Sequence, residues 1–189
     1  MTQTQTSPLV AHFHHVYNRG TNHQNIFFER ENYLYFLRLI RQAFTTHDVD
    51  VVAYCLMPNH YHLLVYPRSD RLSEAMKSLS LAYTKAMNKR FNRVGGLFQG
   101  RFQKRLVTDT AYLVHLIRYI HLNPVKANLV AQPQEWEFSS YQEYAKVRSG
   151  TLPKLELIQR QLGELDHQVF LEDGCLPNNP AFRKLLLDE

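Results

Sequence analysis

The stretch 57-MPNHYHLLVY-66 determines how the rest of the chain is interpreted. It places His60 and His62 one residue apart in an apolar run, and side chains at i and i+2 of a β-strand project from the same face. Two neutral imidazoles that project side by side form a candidate pair of metal ligands. The alternate residues are expected to face the opposite way, into a core: Tyr61, Leu63 and Val65.

The residues before the histidine pair predict a β-hairpin. The segment 49-VDVVAYCLM-57 is typical of a strand, and Pro58-Asn59 is a turn signal between it and the second strand. The two histidines then lie near the start of the second strand, where a site can open to solvent.

Apolar spacing outside the hairpin predicts three helices and two more strands. The helix that follows residue 109 is expected to be capped by Thr108 or Asp109 and to stop at Pro124. The predicted elements are strands at residues 9–19 and within 97–107, and helices at 31–44, 72–90 and 110–122. The order β-α-β-β-α-β, followed by a helix, predicts an α+β, ferredoxin-like split βαβ fold with one antiparallel sheet and two helices on one face.

The chain of 189 residues is long enough for one domain with extensions. We expect a flexible N-terminal tail at residues 1–8, a folded domain at 9–132 and a C-terminal extension at 133–189. Aromatic side chains are expected to dock this extension onto the domain: Trp136, Phe138, Tyr141 and Tyr144.

Composition predicts a cytoplasmic protein without a membrane partner. No apolar run approaches the ~20 residues of a membrane span, and the first eight residues lack the basic start and apolar core of a secretory signal. The two cysteines, Cys55 and Cys175, are too few for a disulfide framework.

The distribution of charge indicates a nucleic-acid surface. No acidic residue lies between Glu74 and Asp109, although eight lysines and arginines and several aromatic residues do. Basic side chains neutralise phosphates and aromatic faces stack on bases, whereas a solvated helix face would more often carry both signs of charge. The leading candidates for DNA contact are Arg101, Lys104 and Arg105, followed by Lys89 and Arg93.

The helix predicted over 110-TAYLVHLIRYIHLNP-124 carries a second pair of polar residues. Tyr119 and Asn123 are four residues apart and therefore share one helix face. Each has an ordinary structural role available, as a core aromatic and as a helix-ending residue. Together with the histidine pair and the basic segment, however, they suit one mechanism, in which a divalent cation polarises a phosphate and a tyrosine hydroxyl attacks phosphorus.

Several motifs occur in an order that resembles the REP-associated tyrosine transposases, which belong to the one-tyrosine HUH transposase superfamily. The motifs span about residues 12 to 145 and are HHVYNRG, MPNHYHLLV, GLFQGRF, YLVHLIRYIHLNPVKANLV and WEFSSY. The resemblance implies a nuclease domain that binds single-stranded DNA hairpins and cuts beside them. It also implies a 5′-phosphotyrosine intermediate, a free 3′-OH, and Mg²⁺ or Mn²⁺ as cofactor.

Carried over by position, the resemblance makes His60 and His62 metal ligands and Tyr119 the nucleophile. It places Asn123 where a polar residue assists the metal one turn after the tyrosine. The bulky residue between the histidines is Tyr61, which is more polar than the usual aliphatic but can still bury its ring.

Several alternatives remain open. His12 and His14 form a second H-x-H pair, and one of them or His15 could approach the site if their strand lies beside residues 60–66. Tyr112 lies two turns before Tyr119 and is the alternative nucleophile. The rival functions are a hairpin-DNA-binding regulator whose catalysis has lapsed and a metal-dependent phosphodiesterase that uses water. A homodimer, with Tyr119 acting in cis or in trans, is also open.

Overall fold

The computed structural model describes residues 12–163, which form one antiparallel sheet with helices packed on both faces. The predicted order of elements is confirmed. The tail at 1–8, the start of the first predicted strand and everything beyond residue 163 lie outside the described residues. The elements are β1 (His14–Arg19), α1 (Arg30–Thr46), β2 (Val49–Met57), β3 (His60–Pro67), α2 (Leu72–Arg90), β4 (Gln103–Leu106), α3 (Thr110–Lys126), α4 (Tyr141–Tyr144) and α5 (Leu155–Leu162).

The sheet has the strand order β2-β3-β1-β4, and every neighbouring pair is antiparallel. The hairpin β2–β3 forms one side, and β1 lies between β3 and β4 because α1 and α2 carry the chain across the sheet. This is the arrangement of a split βαβ fold, so the predicted α+β, ferredoxin-like fold class is confirmed.

Successive side chains of β3 point to opposite faces of the sheet and therefore belong to two different cores. Tyr61 is fully buried and belongs with Leu63 and Val65 to the core beneath α1 and α2. Leu64 belongs to the second core, under α3. The histidines share the α3 side of the strand, as the i, i+2 spacing predicted. α3 is therefore the helix that covers the histidine face.

The prediction that α3 stops at Pro124 is wrong, because the helix continues to Lys126. Proline removes one backbone N–H donor from the helix, but only two helical residues follow it. Carbonyl groups of this last turn still accept hydrogen bonds from residues beyond the helix. The N–H of Ala127 donates to the Asn123 carbonyl at 3.0 Å, and the N–H of Leu129 to the Pro124 carbonyl at 2.9 Å. At the other end Asp109, one of the two predicted caps, accepts from the Tyr112 N–H at 2.7 Å.

Residues 136–144 cover the outer edge of β2. Trp136 Nε1 donates to the Leu56 carbonyl at 3.0 Å, and the Tyr144 hydroxyl donates to the Val52 carbonyl at 3.0 Å. The ring of Phe138 stacks on a tyrosine of α1 with centroids 3.9 Å apart. A covered edge strand cannot pair with another chain. The expected boundary between residues 132 and 133 stays a prediction.

The same segment also fixes α3. His121 Nε2 lies 2.9 Å from the Ser140 hydroxyl, and Ser140 in turn accepts from the Tyr54 N–H at 2.9 Å. His121 and Ser140 are fully buried. α3 is therefore tied to β2 through Ser140. None of the helices within residues 12–163 combines the length and apolar character needed to cross a bilayer.

Candidate functional site

β3 places the His60 and His62 rings side by side at the start of the strand. Their centroids are 5.1 Å apart and the ring planes are nearly perpendicular, at 79°. His62 is 3% exposed, whereas His60 is partly exposed. The pair therefore runs from the interior of the α3 face towards the solvent.

Asn59 orients His60. The Asn59 amide nitrogen donates to the His23 carbonyl at 3.3 Å, so its Oδ1 is the atom that faces His60 Nδ1, at 2.7 Å. Because Oδ1 can only accept, Nδ1 of the neutral ring carries the proton. Nε2 then carries the lone pair, which is the tautomer that a metal-ligating histidine needs.

A third histidine, on β1, orients His62. His15 Nε2 lies 3.0 Å from His62 Nδ1, and His15 is 2% exposed. Burial, together with the nearby His62 and Arg105, holds the pKa of His15 well below its usual value, so this ring is neutral. Tyr17 stacks on His15 with centroids 4.9 Å apart. The Nδ1 side of the His62 ring is thus held by a neutral, buried partner, His15.

The Tyr119 hydroxyl meets the other nitrogen of His62. The oxygen lies 3.4 Å from His62 Nε2, and the two rings contact edge to face with centroids 5.1 Å apart. Tyr119 is 3% exposed. Both residues belong to one chain, so the contact brings α3 and β3 of the same chain together. A substrate atom attacked by Tyr119 would have to enter beside His62.

Asn123 and Lys126 follow Tyr119 on α3. The Asn123 amide nitrogen donates to the Tyr119 carbonyl at 3.0 Å, which makes its amide oxygen the atom that could serve as a ligand. Asn123 is 5% exposed. Lys126 Nζ lies 5.0 Å from the centroid of the Tyr119 ring, a cation–π contact.

The donors at this site fit a catalytic rather than a structural metal ion. Within residues 12–163, no three or more His, Cys, Asp or Glu side chains are grouped to hold an ion. Two imidazoles and one amide oxygen would leave coordination positions for water and phosphate oxygens, which catalytic ions need and closed structural sites lack.

An open cleft of about 880 Å³ lies beside the histidine pair. His60 and His62 form part of its wall. Amide side chains contribute much of the remaining surface: Asn18, Asn25, Asn59, Gln99 and Gln103. Amides both donate and accept hydrogen bonds, so this wall could contact nucleotide bases or sugars.

The structure brings one of the predicted DNA-contact residues next to the site. Arg105 Nε donates to the Tyr17 hydroxyl at 3.3 Å, on the histidine side of the sheet. Lys104 is paired with Val16, whose side chain belongs to the opposite core, and Arg101 is exposed in the loop before β4. Lys89 lies near the end of α2, and Arg93 follows that helix. α2 covers the other face of the sheet, away from Tyr119.

The alternative histidine pair, His12 and His14, lies just before and at the start of β1. His14 Nδ1 bonds to the His12 carbonyl at 3.0 Å, and the His12 ring contacts Tyr66 at 5.7 Å. The imidazole of this cluster that reaches the site is His15. The alternative nucleophile, Tyr112, has its pKa raised by burial, which the nearby Arg105 opposes.

The sequence left His15 as one of three histidines that could approach the site, and it did not point to Asn59 or Lys126. The available signals were the HHV segment on a strand expected near residues 60–66, and the amide directly before His60. The position of Lys126 beside Tyr119 was missed because the helix was predicted to stop at Pro124.

Comparisons with known proteins identify the family and the fold. A Haemophilus influenzae protein assigned as a REP-associated tyrosine transposase is 29% identical to this chain over 117 residues. These residues are 56% of this chain and 66% of that protein. The REP-associated tyrosine transposase of Escherichia coli is 27% identical over 94 residues, 49% of this chain and 54% of that protein. The chain thus aligns with less than two thirds of either relative.

A solved structure described as a REP-associated tyrosine transposase bound to a REP hairpin has the same fold. Its TM-score is 0.63 at 17% identity, covering 82% of this chain and 94% of that one. The family model described as "Transposase IS200 like" matches residues 10–123, more than half of the sequence. The chain therefore belongs to the IS200-like transposase family.

Proposed function

We propose that this protein is a metal-dependent single-stranded DNA transposase and nuclease that binds hairpin DNA and cleaves it through Tyr119. The observation that carries the proposal is the 3.4 Å contact between the Tyr119 hydroxyl and His62 Nε2. It joins a nucleophile and a candidate metal ligand within one chain. Family membership supports the same chemistry.

The reaction is an exchange of one phosphate ester for another. The Tyr119 oxygen forms a bond to phosphorus, and the bond from phosphorus to the 3′ oxygen breaks. The phenol loses its proton, the 3′ oxygen gains one, and the 5′ phosphate remains on the protein. Because the new ester retains the bond energy of the old one, a 3′-OH can reverse the step, as strand transfer requires.

His60, His62 and the amide oxygen of Asn123 would hold Mg²⁺ or Mn²⁺, which supplies a Lewis acid for the phosphate oxygens when bound. The protein's own contribution is orientation. Asn59 fixes the His60 tautomer, and His15 holds His62 at 3.0 Å. A rigid second layer of this kind maintains ligand geometry before substrate arrives.

Three features support hairpin or single-stranded DNA as the substrate. The cleft of about 880 Å³ opens beside the histidines, and its amide-rich wall can contact an unpaired strand. The segment from 75 to 108 carries basic residues without acidic ones. The structure with the same fold is described as bound to a REP hairpin.

A hairpin oligonucleotide with single-stranded flanks, labelled at either end, tests the proposal. The expected products in Mg²⁺ or Mn²⁺ are a protein-linked fragment and a fragment with a free 3′-OH. A phosphodiesterase that uses water would release both fragments from the protein. A lapsed regulator would bind the hairpin and leave it intact, and either result would reject the proposal.

A further inference from the structure

Lys126 lies over the ring of the expected nucleophile. α3 continues through Pro124, so Lys126 is seven residues, or two turns, after Tyr119 and shares its helix face. Its ammonium nitrogen is 5.0 Å from the Tyr119 ring centroid. A positive charge thus lies beside the group that would form the bond to phosphorus.

The exposure of the two residues differs sharply. Lys126 is exposed, whereas Tyr119 is 3% exposed. The lysine stem is flexible, and the contact of an exposed ammonium with a ring face is weak. An ammonium on such a stem can form a charge-assisted hydrogen bond with an oxygen of a phosphate that is bound beside the ring.

Other basic residues are less well placed for this task. Arg105 is held by the Tyr17 hydroxyl at 3.3 Å. Lys104 belongs to the opposite face of the sheet by its register with Val16. The ring contact of Lys126 instead places its charge directly at Tyr119.

We propose that Lys126 binds a non-bridging oxygen of the phosphate that Tyr119 attacks, and holds that phosphate against the phenol oxygen. The inference rests on the proposed function and names a further catalytic residue for it. Lys126 stays protonated throughout and neither accepts nor supplies a proton. It stabilises the charge on the phosphate oxygens while the bond from the Tyr119 oxygen forms and the bond to the 3′ oxygen breaks.

Binding without chemistry provides the first measurement. The protein carrying Tyr119→Phe is titrated, in EDTA, with a flanked hairpin that has either an ordinary phosphate or an uncharged methylphosphonate at the scissile position. Adding Lys126→Met is expected to weaken binding of the ordinary substrate about 3- to 10-fold. It should leave binding of the methylphosphonate unchanged. Lys126→Arg, which keeps the charge, should restore most of the affinity.

Single-turnover adduct formation provides the second measurement. With Tyr119 intact and metal present, Lys126→Met is expected to slow the adduct about 100-fold, the scale of losing one donor to a developing charge. Lys146→Met, a change of an exposed lysine in the C-terminal segment, is the matched control and should react at the wild-type rate.

The outcomes separate this inference from the proposed function. Equal effects of Lys126→Met on both substrates, or no effect on either, would show that Lys126 does not contact the scissile phosphate. If the wild-type protein forms no adduct at all, the proposed function fails. The metal-free binding comparison still decides whether Lys126 contacts the phosphate in that case.

Discussion

The Tyr119 hydroxyl lies 3.4 Å from Nε2 of His62 in the same chain. The contact crosses from α3 to β3 and joins residues 57 positions apart in the sequence. His62 is itself held by His15 on the neighbouring strand, at 3.0 Å. The proposed nucleophile, the proposed ligand and the supporting histidine thus form one chain of contacts across the α3 face of the sheet.

Because Tyr119 and His62 meet within one chain, activity should not require exchange of helices between subunits. A mixture of the Tyr119→Phe and His62→Ala proteins is therefore expected to remain inactive in hairpin cleavage. Were α3 swapped between two subunits, an equal mixture would regain about a quarter of the wild-type sites. Recovery on that scale would contradict the cis arrangement.

The histidine pair is expected to act on cleavage rather than on DNA affinity. His60→Ala or His62→Ala should abolish cleavage but change hairpin binding by less than about twofold, because phosphate contacts and base stacking supply most of the affinity. EDTA should have the same effect on the wild-type protein.

The control for the histidine pair is His47→Gln, at the end of α1, where the ring bonds to the Ala43 carbonyl. This variant should cut normally. Wild-type cutting by either His60→Ala or His62→Ala, in Mg²⁺ or Mn²⁺, would reject the ligand assignment.

His15 is expected to support the metal through His62. His15→Phe keeps the ring but removes both nitrogens, and loss of such an outer partner typically costs about 10- to 100-fold in metal affinity or activity. The cleavage rate should recover in part at high Mn²⁺, and hairpin binding should be unchanged. Mn²⁺ titrations followed by electron paramagnetic resonance measure the affinity directly.

The neighbouring residue provides a matched control for His15. His14 is paired with Val65, on the side of the sheet that faces α1 and α2. His14→Phe should therefore leave Mn²⁺ affinity intact. If the two substitutions have equal effects, His15 has no specific role at the site.

The basic surface should make DNA binding steeply dependent on salt. Each lost phosphate contact should reduce the log–log slope by about 0.7–0.9. We expect the largest decreases in this slope from Arg105→Gln, Arg101→Gln and Lys104→Gln. Arg105 is on the histidine side of the sheet, and the other two residues lie in or just before the edge strand β4. Lys89 and Arg93 should contribute less because α2 covers the opposite face.

Arg38→Gln on α1, where the guanidinium lies 5.6 Å from the Tyr35 ring centroid, is the control for the salt series. Its slope should match that of the wild-type protein. An affinity that does not vary with salt, or five basic substitutions without effect, would remove this surface from the DNA interface.

Local patterns in the sequence predicted the parts of the site that depend on one element. The two-residue period of β3 placed His60 and His62 on one face and Tyr61 in a core. The helical period placed Tyr119 and Asn123 together. These relations depend on backbone geometry within a single strand or helix, which the sequence pattern specifies directly.

The remaining parts depend on how elements meet. The contact of His15 with His62 follows from the register of β1 against β3, and no local pattern specifies that register. The position of Lys126 depends on a helix that continues beyond Pro124, because the carbonyls of its last turn find donors at Ala127 and Leu129. A rule that ends helices near proline does not include those partners.

The measurement that tests the account most directly is the location of the covalent bond between protein and DNA. A flanked hairpin is allowed to react in Mn²⁺, the complex is denatured and digested, and the nucleotide-bearing peptide is sequenced by mass spectrometry. We expect the nucleotide on Tyr119, no adduct from Tyr119→Phe, and a normal adduct from Tyr112→Phe. A nucleotide on Tyr112 or any other residue, or an adduct that survives Tyr119→Phe, would contradict the account.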